Sequence, residues 1–186
     1  LDTGFDILAL QHRFHKAYSA VAIRVVEVLR EAAEDNIQVL IAIYERNEPE
    51  RDISLWGDCS REKFQVTYVA RTPGIKMARN GSRVRAFAYP RHVLPRKGDK
   101  VVPGGIVDAV INETRPYIER VTGFDFWSFN DLVCLAVPVV WHHRETGATV
   151  LAKVILIVMP YEQASMLEPQ VQRLSPTIIP ERSQFI

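Results

Sequence analysis

The chain has 186 residues, 47% apolar and 24% charged, with a formal net charge of +1. That is the composition of one globular domain with appendages, and it excludes disordered and fibrous classes. Two cysteines, Cys59 and Cys134, make no disulfide framework, and no apolar run reaches the roughly 20 residues that span a bilayer. A reducing, cytoplasmic setting and no membrane partner are therefore expected.

From Phe5 to about Asp35 the apolar residues Ile7, Leu10, Phe14, Ala17, Val21, Val25, Val28 and Ala32 recur at three- and four-residue intervals, the stripe of one long helix. At 1.5 Å per residue it would run about 45 Å, longer than such a domain is wide. It either projects and pairs with a second copy, giving a homodimer, or kinks and lies on its own core. Residues 1–36 are read as this helix, 37–160 as an α/β core, and 161–186 as a C-terminal helix with an extended tail.

Ile37–Tyr44, IQVLIAIY, reads as a strand. Beyond a charged loop containing Pro49, Ile53–Cys59 and Lys63–Arg71 read as extended, giving an antiparallel meander. From Arg71 to Lys100 nine basic residues face a single acid, Asp99, so the rest of the chain is net acidic. Asn80-Gly81, Pro90, Pro95 and Gly98 break this stretch repeatedly. After Pro103-Gly104-Gly105, Ile106–Glu113 is a short helix that stops at Thr114-Arg115-Pro116, because proline disfavours helical geometry in the residue before it. Tyr117–Val121 is a short strand, and Thr122–Asn130 packs Phe124, Phe126, Trp127 and Phe129 into nine residues.

The strongest signal is the hairpin from Asp131 to Pro160. Leu132–Trp141 carries no charge and Val150–Met159 carries only Lys153. Strands this apolar are covered on both faces or sit mid-sheet. Pro138 argues against a central strand, since proline cannot donate to the ladder. Tyr161–Leu174 is a final helix, interrupted by Pro169.

This order of elements resembles that of the GAF domain family. Gly104–Val121, GGIVDAVINETRPYIERV, is similar to the family's passage from short helix through Thr-Gly-x-Pro to a strand. LVCLAVPVVW resembles its strand ending in Val-Pro-hydrophobic, here Val137, Pro138 and Val139, and TGATVLAKVILIV resembles the strand that follows. Arg115 stands where the family has glycine, and Ala152-Lys153 where Gly-Val or Gly-Ala is usual. PAS domains and profilin-like sensors are built on similar sheets. The resemblance implies an α+β fold: a GAF/PAS-like central antiparallel sheet of five or six strands, helices packed on it, and the long N-terminal helix.

It also implies a small-molecule-sensing regulatory domain in signal transduction, with a ligand held between the sheet and the segments around the short helix. Phe87, Tyr89, Phe126, Trp127 and Phe129 are then candidate pocket walls, with Arg91, His92 and Asp131 as polar members. The same aromatics also fit a lid over a closed sheet. Neither cysteine is followed by histidine, which argues against covalent bilin, and the family's cyclic-nucleotide signature, Asn-Lys-Phe followed by Asp-Glu, does not occur. The ligand stays unknown. Two cysteines are too few for the family's methionine-sulfoxide reductases.

His142-His143 on a strand would point to opposite faces. His12 and His15 share a helix face without the further ligands a metal needs. Pro103-Gly104-Gly105 opens a helix whose N-terminus suits an anion, yet lacks the Lys-Ser or Lys-Thr of a phosphate-binding loop. No nucleophile elbow occurs, and no enzyme is expected. The basic segment 71–100 fits an anionic small molecule or an acidic protein surface better than nucleic acid, for which no recognition motif is present. A protein-interaction module that dimerises without a ligand is the other reading.

Overall fold

The computed structural model describes residues 6–31, 37–47, 61–72, 93–122, 131–142, 147, 149–175, 177–178 and 182–183. Its elements run α1 (Ile7–Phe14), α2 (Tyr18–Glu31), β1 (Leu40–Arg46), β2 (Phe64–Arg71), α3 (Ile106–Glu113), β3 (Tyr117–Thr122), β4 (Leu132–His142), β5 (Thr149–Pro160), a 3-10 helix (Tyr161–Leu167), α4 (Glu168–Leu174), β6 (Thr177–Ile178) and β7 (Arg182–Ser183). Five strands form an open antiparallel sheet in the order β2-β1-β5-β4-β3, and β6 and β7 pair parallel to β3 at its far edge. The fold is α+β. The expected strand at Ile53–Cys59 lies outside the described residues.

The hairpin reading is met: β4 and β5 pair from Leu132↔Pro160 to His142↔Thr149. β5 lies between β1 and β4, and its alternation feeds two cores. Val154, Leu156 and Val158 join Leu40, Ala42, Tyr44, Phe64 and Val66 beneath α3. Ile155, Ile157 and Met159 join Ile41, Ile43, Val133, Leu135 and Val137 beneath α1 and α2. The register steps from Val139↔Lys153 to Val140↔Leu151, leaving Ala152 as an extra residue. This bulge restores Leu151 to the α3 side, where it is buried.

Pro138 is accommodated by position. β3 ends opposite Ala136, so at Pro138 strand β4 has β5 as its one ladder neighbour among the described residues. A missing donor is tolerated at such an edge.

The long N-terminal helix is not observed. His15 adopts the left-handed conformation (φ 51°, ψ 39°) and ends α1 after eight residues. The chain turns, and α2 restarts with a new phase. Tyr18, Val21, Ala22, Val26 and Leu29 are buried, whereas Phe14 is 57% exposed and Val28 38%. The apolar spacing runs through the break, so it suggested continuity that the backbone does not keep. Both helices pack on the sheet's own core, and the length argument for a second copy disappears.

One further expectation is corrected. Pro169 does not interrupt a helix: it sits in the first turn of α4, where its missing N–H would have no intrahelical partner anyway. In the tail after Leu174, Thr177–Ile178 and Arg182–Ser183 are short strands that pair with β3.

Ladder ends are closed by side chains. Thr72 Oγ1 accepts from Val39 N (3.0 Å) while Thr72 N donates to Val39 O (2.9 Å), prolonging the β1–β2 pairing. Glu45 and Lys153 sit opposite one another across β1 and β5 and form an ion pair. Burial works against ionisation of Glu45. The hydrogen bonds from Lys153 and Thr67, with the lysine charge, overcome it and hold the pKa below the usual carboxylate value.

Two outcomes follow from this architecture. Ile157→Ala or Leu135→Ala should cost about 2–5 kcal/mol in urea unfolding, because each empties a fully buried site. Val140→Ala, at a partly exposed position, should stay within about 0.5 kcal/mol; equal losses at all three positions would contradict the two-sided core. For the pH dependence, a carboxylate with a depressed folded pKa contributes stability above its unfolded pKa and loses it as pH falls through the folded value. The stability difference between wild type and Lys153→Met should therefore be larger at pH 7 than near pH 3.

Candidate functional site

The sheet face beneath α3 is where the resemblance places a ligand, and it is built from five strands and one helix. Ile106, Val107, Val110 and Ile111 form the buried side of α3. Gly104 (φ 69°) makes the turn into the helix and Gly105 is its extended N-cap. Thr114 closes the helix in the left-handed conformation (φ 53°), its N–H donating to Val110 O. The left-handed residue is thus Thr114, one position before Arg115, which stands where the family has glycine. Arg115 instead donates from Nε to Tyr117 Oη (3.0 Å) and lies against that ring.

The N-terminus of α3 already holds an anion. Asp108 Oδ2 accepts from Gly104 N (2.7 Å), and the Arg61 guanidinium lies 3.5 Å from the same oxygen. Asp108 is 5% exposed. The helix dipole that made this place suitable for an external anion is met by the chain's own carboxylate.

On the sheet itself, polar groups collect in an otherwise apolar surface. β3 alternates Tyr117, Glu119 and Val121 as buried residues with Ile118, Arg120 and Thr122. Tyr117 and Val121 belong to the α3-side core, so strand alternation puts Glu119, 1% exposed, on the same side. Cys134 lies directly opposite Glu119 across the β3–β4 ladder and is fully buried. Burial and then the charge of Glu119 push its thiol pKa well above the usual value. Tyr44 of β1 faces this side too, and its phenol is pushed upward by burial first, then by Asp99 and Cys134. Carboxylate, thiol and phenol thus share one sheet face, the first two as a cross-strand pair and Tyr44 further along the sheet. The alternation in Tyr-Ile-Glu-Arg-Val carried a signal for the carboxylate: Glu119 stands in the phase of two apolar residues.

Of the sequence-derived site residues, Asp131 is the one described. Phe87, Tyr89, Arg91, His92, Phe126, Trp127 and Phe129 lie outside the described residues. Asp131 pairs with Arg120, whose Nε lies 3.1 Å from Asp131 Oδ2. Arg120 stands opposite Val133, so Asp131 is its diagonal neighbour across the ladder. The guanidinium lies 3.9 Å over the Tyr161 ring, and Tyr161 N donates to Asp131 O (3.0 Å). Arg120 alternates with Tyr117, Glu119 and Val121, so the Asp131 carboxylate is engaged by a side chain of the face away from α3. The structure does not bring Asp131 together with Glu119 and Cys134.

The basic segment is described at its ends. Val93 and Leu94 are fully buried in the α3-side core. Arg96–Asp99 is a tight turn: Asp99 Oδ2 accepts from Arg96 N (2.9 Å), Gly98 N donates to Val66 O (2.8 Å), and Val66 N donates to Asp99 O (2.9 Å). Lys100 bridges antiparallel to Gln65. The segment's C-terminal part is therefore fastened to the outer edge of β2, with Lys97 and Lys100 exposed. His12 and His15 are exposed, and the described residues contain no group of three or more His, Cys, Asp or Glu able to hold a metal ion. No helix among the described residues is long and apolar enough to cross a membrane.

No protein-family model, curated protein or solved structure matches the chain.

The burial of Cys134 has a measurable consequence. In a Cys59→Ser variant, Cys134 should react with an aromatic disulfide reagent only as the protein unfolds, because the thiolate is the reactive form and both access and ionisation are suppressed. Stoichiometric labelling of the native protein within seconds would show that the face under α3 is open.

Proposed function

We propose that this chain is a small-molecule-sensing regulatory domain of the GAF/PAS type, acting in signal transduction in a reducing, cytoplasmic compartment, by binding and without turnover. The observation that carries the reading is the presence of Glu119, Cys134 and Tyr44 in the apolar sheet face beneath α3. A buried carboxylate costs free energy unless something specific is gained from it. Apolar surface with a few convergent polar groups is the usual make-up of a small-molecule site.

The residues expected to line the pocket adjoin this core in sequence. Arg91 and His92 immediately precede Val93, which is packed in the α3-side core. The segment with Phe126, Trp127 and Phe129 joins Thr122 of β3 to Asp131, between Val121 and Leu132, both of that core. From β1 onward, the described elements (two strands, short helix, short strand, hairpin, helix) follow the order on which the resemblance rests. A ligand that prefers one state of the domain would act by shifting the population toward that state.

Native mass spectrometry of freshly purified protein tests the reading. A retained small molecule, released on denaturation, is expected. Arg91→Ala should weaken its binding about tenfold, the effect of losing one charged hydrogen-bonding anchor. A bare protein mass, together with no thermal shift from any member of a panel of nucleotides, aromatic acids and haem-type ligands, would reject it.

A further inference from the structure

We propose that Asp6, Gln170 and Arg173 form a polar latch coupling α1 to α4, so that the two helices detach together from a sheet that stays folded. With eight and seven residues, each helix is too short to persist alone in water. Each depends on docking. Ile7 is fully buried, but Leu8, Leu10, Val171 and Leu174 are only partly so.

What joins α1 to α4 is largely polar. Ile7 N, one of the amides that an isolated helix would leave unpaired, donates to Gln170 Oε1 (3.0 Å) across 163 residues of chain. Asp6 acts in both directions. Its Oδ1 accepts from Ala9 N (2.9 Å) as the α1 cap, and its Oδ2 pairs with Arg173 Nη1 (3.0 Å) on α4. The start of α1 is therefore completed by side chains of α4, and α4 is held in turn by the cap residue of α1. Asp6 is 2% exposed and Gln170 is fully buried, whereas Arg173 is half-exposed, so the Gln170 contact is shielded from water and the ion pair is shielded on its Asp6 side.

The docked arrangement also carries a standing cost. The Tyr18 hydroxyl and Gln170 Nε2 are buried without hydrogen-bond partners among the described residues. Opening would hydrate both donors, which sets α1 and α4 closer to release than the strands beneath them. β5, by contrast, is paired along its length with β4 and over Lys153–Val158 with β1. A partner or strain acting on either helix would thus be felt by the other through Asp6 and Arg173.

Amide hydrogen exchange read by mass spectrometry tests this with two mild variants. Asp6→Asn keeps a good helix cap and removes the charge that Arg173 meets. Arg173→Gln alters a half-exposed side chain and should not impair folding. Each variant should accelerate exchange severalfold in both 7–14 and 168–174, leave 132–142 and 149–160 unchanged, and have little added effect in the presence of the other. Acceleration confined to the substituted helix would overturn the coupling. Equal acceleration in β4 and β5 would show that the helices open only with the whole domain, and no acceleration anywhere would show that the contact holds nothing; either result rejects the latch.

Discussion

Burial of the β4–β5 hairpin on both faces is the constraint from which the remaining architecture follows. Val154, Leu156 and Val158 look one way, Ile155, Ile157 and Met159 the other, and all are inaccessible to water. Fully burying one such side chain contributes about 1.5–3 kcal/mol, so neither face can be left open. Two covers are needed, and the chain supplies them from different places. α1, α2 and the C-terminal 3-10 and α4 helices close one side, while α3 with Val93, Leu94 and Val101 closes the other. The position of β5 between β1 and β4 makes this division unavoidable, because every odd residue of its central part commits to one core and every even residue to the other.

Much of this was legible in the residues, for identifiable reasons. The β-branched runs announced β4, β5 and β1, and a proline two residues beyond Thr114 announced the end of α3. What stayed hidden is equally specific. The break at His15 is a single left-handed residue that is not glycine, set within apolar spacing that continues on both sides. The two-residue strands β6 and β7 have no period of their own; they exist because β3 offers an unpaired edge to the chain emerging from α4. Pro169 was read as a breaker because its distance from the helix start depends on where the 3-10 turns give way to α4.

The site was less legible than the fold. Asp131 stood out as a carboxylate next to an aromatic cluster, but its partner is fixed by a diagonal across the β3–β4 ladder, and a diagonal depends on register. Arg120 and Asp131 are eleven residues apart in sequence, and no local pattern distinguishes that pairing from others nearby. Glu119 could have been noticed, since a one-residue slip of β3 would expose it and bury Arg120 instead. The apolar phase of Tyr117 and Val121 forbids that slip, so the carboxylate is carried inward by its neighbours.

The charge of segment 71–100 takes on a different meaning once its described ends are located. An anion seeking the nearest helix N-terminus would meet Asp108, already bonded to Gly104 N and beside Arg61. The cations that are described lie elsewhere: Lys97 and Lys100 are exposed where the turn clips onto Gln65 and Val66, and Arg71 is exposed at the other end of β2. Among the described residues β2 is the terminal strand of the antiparallel sheet, and terminal strands invite pairing with other chains. Lysine and arginine along such an edge discourage it, because an approaching strand would have to desolvate them. At least this part of the basic block is accounted for by protection of the sheet edge. On the side of the sheet that α3 covers, the described buried charges are of the opposite kind, the carboxylates of Glu119 and Asp108.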